Sequence, residues 1–194
     1  FLKGGIVFAD AVTTVSNTYA DEIKTPFYGE GLDGLLRARS NSLRGIVNGI
    51  DYNDFNPETD INLSARYNAT TFRKEKVKNK IQLQKDLGLE QDPKAMMIGI
   101  VYYDESMSHR IYAASDAFLM PSLFEPCGLS QLMSLRYGTL PIVRETGGLK
   151  DTVEPYNEFE GTGTGFSFSN YNAHEMLSTI RYAEHIYYDK KREW

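Results

Sequence analysis

The sequence predicts an α/β fold: a Rossmann-like parallel sheet with flanking helices. Three observations carry that reading. Short apolar runs alternate with helix-like tracts, the connections between them are brief, and two of the apolar runs lead into loops bearing glycine at what would be the carboxyl edge of a sheet. In order along the chain, "AVTTV" (Ala11 to Val15) reads as a buried strand, and Ser16 is placed to cap a helix over Thr18 to Ile23. "GEGLDGLLRAR", Gly29 to Arg39, is glycine-rich and then helical in character. "GIVNGI" (Gly45 to Ile50) is a short apolar stretch, and "DYNDFNPETD" behind it is turn chemistry, with Asn, Asp and Pro clustered. A helical tract covers much of Ala65 to Leu87 and stops at Gly88. "AMMIGIV", Ala95 to Val101, is a wholly apolar strand suited to the middle of a parallel sheet. Asp104 would cap the helix "ESMSHRIYAAS". "AFLM" is a strand, "LSQLMSLRYG" a helix ending at Gly138, "TLPIV" a further strand, and Ala173 to Trp194 a last helix.

Composition bounds the function. At 194 residues and 41% hydrophobic content, the chain can bury a sizeable core, as one domain or as one domain plus part of another. A net charge of -5 argues against a general nucleic-acid binder, which needs a strong positive field. The one basic stretch runs from Arg73 to Lys85. Val77, Ile81, Leu83 and Leu87 fall near helical spacing within and just after it, so its lysines are expected on a solvated helix face. A single cysteine, Cys127, excludes an internal disulfide framework and fits a reducing compartment. No apolar run reaches membrane-spanning length, and no signal-peptide pattern is visible. The chain opens at Phe1 without methionine, so it is expected to begin inside a longer polypeptide.

Two loops hold the candidate chemistry. In "MPSLFEPCGLSQ", Met120 to Gln131, the carboxylate of Glu125 follows a strand, Pro126 stiffens the approach, and Gly128 opens a helix. Glu125 is either a site carboxylate or a charge favouring that helix N-terminus. In "TGGLKDTV", Thr146 to Val153, two glycines after a strand let backbone approach an anion, which suggests a phosphate site; alone, the pair also fits an ordinary turn. "GTGTGF", Gly161 to Phe166, lacks the helix that a dinucleotide fingerprint demands after it and reads as a flexible loop before the strand-like "FSF".

The segment "HRIYAASDAFLMPSLFEPCGLSQLMSLRYGTLPIVRETGGLKDTV" resembles the C-terminal domain of bacterial glycogen synthases and plant starch synthases. "FLKGGIVFADAVTTVSNTYADEI", "YGEGLDGLL" and "IVNGIDYNDFNPETD" are similar to the portion that precedes it in the same family. The resemblance implies a two-domain GT-B fold with the active site in the cleft between two Rossmann-like units. On that basis residues 1–45 are expected to be the end of the N-terminal domain, 46–172 the C-terminal nucleotide-sugar domain, and 173–194 a C-terminal helix. It implies retaining transfer of glucose from ADP-glucose to an α-1,4-glucan, without metal or cofactor, in the cytoplasm, or in a plastid if the source is a plant. No nucleic acid or membrane is expected as a partner.

Residue by residue, Glu125 matches the family's cleft glutamate, expected to meet the transferring glucose; a charged hydrogen bond to a sugar hydroxyl contributes about 1.5–3 kcal/mol. Thr146, Gly147 and Gly148 match the loop expected to cradle the donor's diphosphate. Tyr103 falls where the family sets a ring against adenine, a stacking worth about 1–3 kcal/mol. Cys127 flanks the glutamate and also fits the part of a small buried hydrophobe. Asn48 is expected to line the cleft near the hinge, and His109 to be structural on its helix. His174 and His185 have no identifiable partner in the sequence.

The chain also departs from the family. Related retaining glycosyltransferases often carry a second glutamate eight positions after the first, where Met133 stands here, and this synthase family usually leaves that role unfilled. After "IGIV" the synthases continue with a Ser-Arg-Leu segment and a lysine that clamp the diphosphate, whereas this chain passes directly to "YYDE". Parallel strands need a dozen or more connecting residues, so a missing segment of more than one βα unit is expected between Val101 and Tyr102. The family's N-terminal lysine-glycine loop and cleft histidine would precede Phe1. The 194-residue chain alone is therefore expected to bind rather than turn over.

Overall fold

The computed structural model describes residues 1–101, 104–191 and 194. Two parallel sheets organise it. The smaller pairs β1 (Val12–Thr14) with β2 (Leu43–Gly45), and around it lie α1 (Leu2–Phe8), α2 (Asn17–Glu22) and α3 (Asp33–Ala38). The larger has the order β3-β4-β5-β6, from β3 (Ile98–Gly99), β4 (Ala117–Met120), β5 (Leu140–Arg144) and β6 (Phe166–Phe168), all parallel. Its helices are α4 (Phe72–Asp86), α5 (Glu105–Ala114), α6 (Ser130–Arg136), α7 (Gly147–Thr152) and α8 (Ala173–Asp189).

Strand alternation divides the core of the larger sheet. Phe118 and Met120 of β4 and Val143 of β5 face Tyr112, Ala113, Tyr137 and Leu149 of the α5–α7 side. Ala117, Leu119 and Ile142 face the other way, toward Ala183 and Ile186 of α8, with Phe166 beside them. Both faces of β4 are buried, which is why its sequence shows no polar alternation. Burial of each large aliphatic or aromatic side chain here contributes about 1.5–3 kcal/mol, so α8 is held firmly on this face.

The sequence-level caps are in place. Ser16 Oγ accepts the Tyr19 N–H at 2.8 Å, and Asp104 accepts the Met107 N–H at 2.9 Å. Gly88 and Gly138, with φ of +67° and +68°, end α4 and α6 in the left-handed conformation. In the stretch read as turn chemistry, Asp51, Asn56 and Asp60 each accept the backbone N–H two residues on.

Several expectations are corrected. β1 is only half-buried, with Thr13 exposed, because the smaller sheet has two strands and helices cover it incompletely. "AMMIGIV" yields a strand of two residues at the edge of the sheet, not its middle, since only β4 pairs with it. The chain passes from β3 to β4 by way of α5; Tyr102 and Tyr103, where the missing segment is expected to join, lie outside the described residues. The 161–166 loop is tied down, with Gly161 N–H donating to Asn157 O, Thr164 N–H to Glu154 O, and Glu154 N–H to Thr164 Oγ1.

The basic helix is corrected most. The inward face of α4 is Asn79, Lys80, Leu83 and Gln84, while Val77 and Leu87 are exposed. Lys80 pairs with Asp116 at 2.6 Å. Lys76 runs its stem past the surface and places Nζ among the carbonyls of Tyr112 and Ala113, at the end of α5, the carbonyl of Tyr137, at the end of α6, and Thr139 Oγ1 at 2.6 Å. One ammonium thus serves two helix C-termini, where carbonyl dipoles favour a cation. Burial nevertheless pushes the Lys76 amine down to about 7.

His109 is structural, as expected. Its Nδ1 lies 2.6 Å from Asp60 Oδ2, Tyr137 OH donates to the same oxygen, and Phe55 stacks on the ring. Burial pulls the Asp60 carboxyl upward, but hydrogen bonds from Tyr137, the Asn62 backbone and His109 outweigh it and hold the group below its usual value. His185 has a partner that its sequence context did not reveal, an exposed pairing with Asp189 one turn on.

Lys76→Met strands those acceptors and should cost about 1–3 kcal/mol, read from urea unfolding at pH 7. The pH dependence has a definite sign. Between about pH 7 and the ordinary lysine range the unfolded chain holds a proton that the folded chain has released. Stability of the parent relative to the variant should therefore rise with pH across that window.

Candidate active site

The site is built at the carboxyl edge of the larger sheet, where β4 and β5 run side by side in register from Ala117 opposite Leu140 to Met120 opposite Val143. That pairing sets the loops 121–129 and 145–147 next to each other. Arg144 ties the first loop to β5, donating from Nη1 to Leu123 O at 2.9 Å. It is a cation beside the site that sequence reasoning did not single out.

The loops touch backbone to backbone. A Cβ on Gly147 would stand 2.0 Å from Glu125 O, and one on Gly148 would stand 1.9 Å from Cys127 O. Gly147 also has a φ of +45°. Gly148 N–H is shared between Glu125 O and Pro126 O, both at 3.2 Å. The two glycines are therefore demanded by loop packing, a requirement beyond the turn and phosphate readings of the sequence. Gly128, with φ of +70°, lies against Gln131, whose buried amide donates to the carbonyls of Cys127 and Gly128 and to Thr152 Oγ1.

Glu125 is half-buried, and its carboxylate accepts the Ser122 hydroxyl at 3.3 Å. Cys127 is buried and free, and its carbonyl rather than its thiol makes the loop contacts. The Thr146 hydroxyl and the Gly147 N–H both donate to one carboxylate oxygen, Glu22 Oε1, at 2.8 and 3.0 Å. With Gly148 N–H bound to the Glu125 loop, the donors expected to hold a diphosphate are taken by protein groups. Glu22 is a site residue the sequence did not disclose: its partners lie more than a hundred residues away, and no local pattern marks it.

The contact is reciprocal. Asp151, late in α7, accepts from Thr18 N–H at 3.0 Å and Thr18 Oγ1 at 2.6 Å at the start of α2. Each of two short helices thus receives at its N-terminus a carboxylate from the other. Phe124 adds an apolar contact, edge-on to Tyr19 at 5.4 Å and stacked with Tyr28 at 6.0 Å. Burial first, then the charges of Glu22 and Glu30, push the Tyr19 phenol above its usual value.

Asn48 is exposed on the link after β2 and makes no hydrogen bond among the described residues. Tyr103 lies outside the described residues. The structure therefore brings together Glu125, Cys127, Thr146, Gly147 and Gly148, and leaves Asn48 aside. No three His, Cys, Asp or Glu side chains cluster as metal ligands among the described residues, and none of the helices there is long and apolar enough to cross a membrane.

Comparison with known proteins follows the same division. The family described as glycosyl transferases group 1 matches residues 74–194, well over half of the chain. The chain belongs to the group 1 glycosyltransferases. Residues 1–38 match the starch synthase catalytic domain family. The chain is 59% identical to a glycogen synthase of Lachnospira eligens and 57% identical to one of Lachnoclostridium phytofermentans, covering 100% of this chain and 52% of each relative. Among solved structures it resembles the catalytic domain of Starch Synthase IV from Arabidopsis thaliana bound to ADP and acarbose, with a TM-score of 0.90 and 32% identity over 99% of this chain and 52% of that one. The parallel α/β fold expected from the sequence is thus the fold of this glycosyltransferase, and the chain spans about half the length of the curated relatives it matches.

Gly147→Ala should cost the glycosyltransferase about 3 kcal/mol or more, because its methyl meets the Glu125 carbonyl, which the Gly148 N–H holds in place. A urea midpoint lowered at unchanged slope would show it; an unshifted midpoint would mean the loops part freely.

Proposed function

We propose that this chain is the donor-side portion of a glycogen or starch synthase, which transfers glucose from ADP-glucose to the non-reducing end of an α-1,4-glucan with retention of configuration. The observation that carries the reading is the placement of Glu125, half-buried at the carboxyl end of β4 and clamped by the Gly147–Gly148 turn, opposite the unit that carries α2. The starch synthase it resembles is one bound to ADP and acarbose, a nucleotide and a glucan-like ligand, which supports the substrate classes. In retaining transfer the C1–O bond to the diphosphate breaks and a C1–O bond to the acceptor forms on the same face. The acceptor hydroxyl proton passes to the departing phosphate oxygen. Glu125 would hold glucose hydroxyls in register for that exchange, and positioning of this kind supplies much of a catalytic barrier reduction. Tyr103 would stack on adenine, Cys127 would shape the wall beside Glu125, and Asn48 would face the cleft near the hinge. Thr146, Gly147 and Gly148 would back the donor's diphosphate side.

A second reading is favoured by one finding. The similarity to the Lachnospira protein extends over 249 residues, against 194 in this chain, so about 55 positions of that relative have no counterpart here. A βα unit takes roughly 30 residues or more, so the difference accommodates the segment expected between Val101 and Tyr102. A chain lacking it would bind nucleotide or glucan without turnover. The intact mass decides. A purified protein heavier than 22.0 kDa, with peptides mapping between Val101 and Tyr102, supports the enzyme; a mass of 22.0 kDa supports the binding fragment.

In the intact protein, Glu125→Ala should lower kcat by about 10²-fold or more with the fold retained. Near-parent turnover would remove Glu125 from the site. Tyr103→Ala should weaken ADP binding by about tenfold, which isothermal titration would read directly. Competition between ADP-glucose and UDP-glucose tests the donor, and a preference for UDP-glucose would overturn the assignment.

A further inference from the structure

Glu22 lies outside every feature that the sequence marked for chemistry, yet it is the acceptor on which the site's turn closes. We infer that Glu22 is a positioning residue for Glu125, acting across the two units of the chain through Thr146, Gly147 and Gly148; the inference rests on the role of Glu125 proposed above. The path is short and made of contacts without slack. Glu22 Oε1 takes both the Thr146 hydroxyl and the Gly147 N–H. Gly147 stands so near Glu125 O that no Cβ fits between them, and Gly148 N–H binds the carbonyls of Glu125 and Pro126. A displacement of the turn is therefore a displacement of the Glu125 backbone.

Two further facts separate this role from an incidental contact. Thr146 is the N-cap residue of α7, yet its hydroxyl makes no cap bond within its own helix and is donated to Glu22 instead. Among the described residues the other carboxylate oxygen, Glu22 Oε2, is buried with no hydrogen-bond partner, so the Thr146–Gly147 pair is what holds the group there. A carboxylate present only for solubility would keep both oxygens in water. The Asp151 clasp on Thr18 fixes α2 from its opposite end, which sets the reach of Glu22. Separation of α2 from α7 would free the turn from Glu22, so that the loop contacts of Glu125 are braced from both sides when the two units are together.

The test compares Glu22→Ala, Glu22→Gln and Thr146→Val. In the 194-residue chain, amide hydrogen exchange at Gly147 and Gly148 should quicken by about tenfold or more in Glu22→Ala, and the backbone resonances of Glu125 and Cys127 should shift. Glu22→Gln, whose amide oxygen can accept the same two bonds, should restore both. Thr146→Val, which removes one of the two bonds and keeps the shape of a buried side chain, should shift the same resonances by less, and it keeps the test available if Glu22→Ala does not fold. In the intact protein Glu22→Ala should lower kcat on the order of 10²-fold at little-changed donor KM, with Glu22→Gln within a few-fold of the parent. Unmoved Glu125 and Cys127 resonances, equal behaviour of the Ala and Gln variants, or a loss confined to KM would each overturn the inference. A parent protein that transfers no glucose from ADP-glucose would instead sink the synthase reading, and the exchange data would still judge Glu22.

Discussion

Two adjacent parallel strands, β4 and β5, end in loops that pack so closely that neither glycine of the second can carry a Cβ against the first. Strand pairing fixes where the loops start, and the Gly148 N–H shared between two carbonyls fixes where they meet. From that contact follow the direction of Glu125, the start of α7, and the place where a second unit can dock. The chemistry proposed for the site relies on rigid backbone more than on any single side chain, because among the described residues the one side-chain bond to the Glu125 carboxylate comes from Ser122. Preorganisation is the property such an arrangement delivers.

Docking of the smaller unit depends on the same edge. A two-stranded sheet is marginal by itself, and the buried core around β1 and β2 is Ala20, Ile23, Leu36 and Leu43, with α1 contributing no buried residue. What fixes this unit to the larger one is polar at both ends of α2 and aromatic beside it: Asp151 on Thr18, Glu22 on the turn, and Phe124 against Tyr19 and Tyr28. Several of these groups are partly exposed, so each contributes modestly in water. Together they hold α2 against α7, beside the loop that carries Glu125. A joint made of capped helix ends buries little apolar surface beyond these rings.

Much of this was legible in the sequence. The runs "AFLM" and "TLPIV" announced strands because both faces of the sheet are covered, and Ser16, Asp104, Gly88 and Gly138 marked helix ends by chemistry that acts locally. The two loops carrying Glu125 and Gly147–Gly148 were recognisable for the same reason. What escaped was long-range. Periodicity counts lysine as polar, so Lys76 and Lys80 were expected in water, yet each reaches a buried acceptor set that only the packed helices create. The Gly147–Gly148 pair invited a phosphate, since glycine permits close approach without saying what approaches; here it is a neighbouring loop. Glu22 could not be found at all, because a carboxylate in a six-residue helix has no signature until its partner stands opposite.

The edge of the larger sheet bears on the segment proposed between Val101 and Tyr102. A parallel sheet with helices on its faces normally runs buried strands through its middle, and "AMMIGIV" has the composition of one. In this chain the strand shrinks to Ile98–Gly99, pairs on one side only, and leaves Ile100 59% exposed. A strand added beside β3 would bury Ile100 and lengthen the ladder. The roughly 55 positions by which the alignment to the Lachnospira relative exceeds this chain leave room for at least one such βα unit. The exposed apolar residue and the shortened strand both lie on the unpaired side of β3, where an added strand would pack.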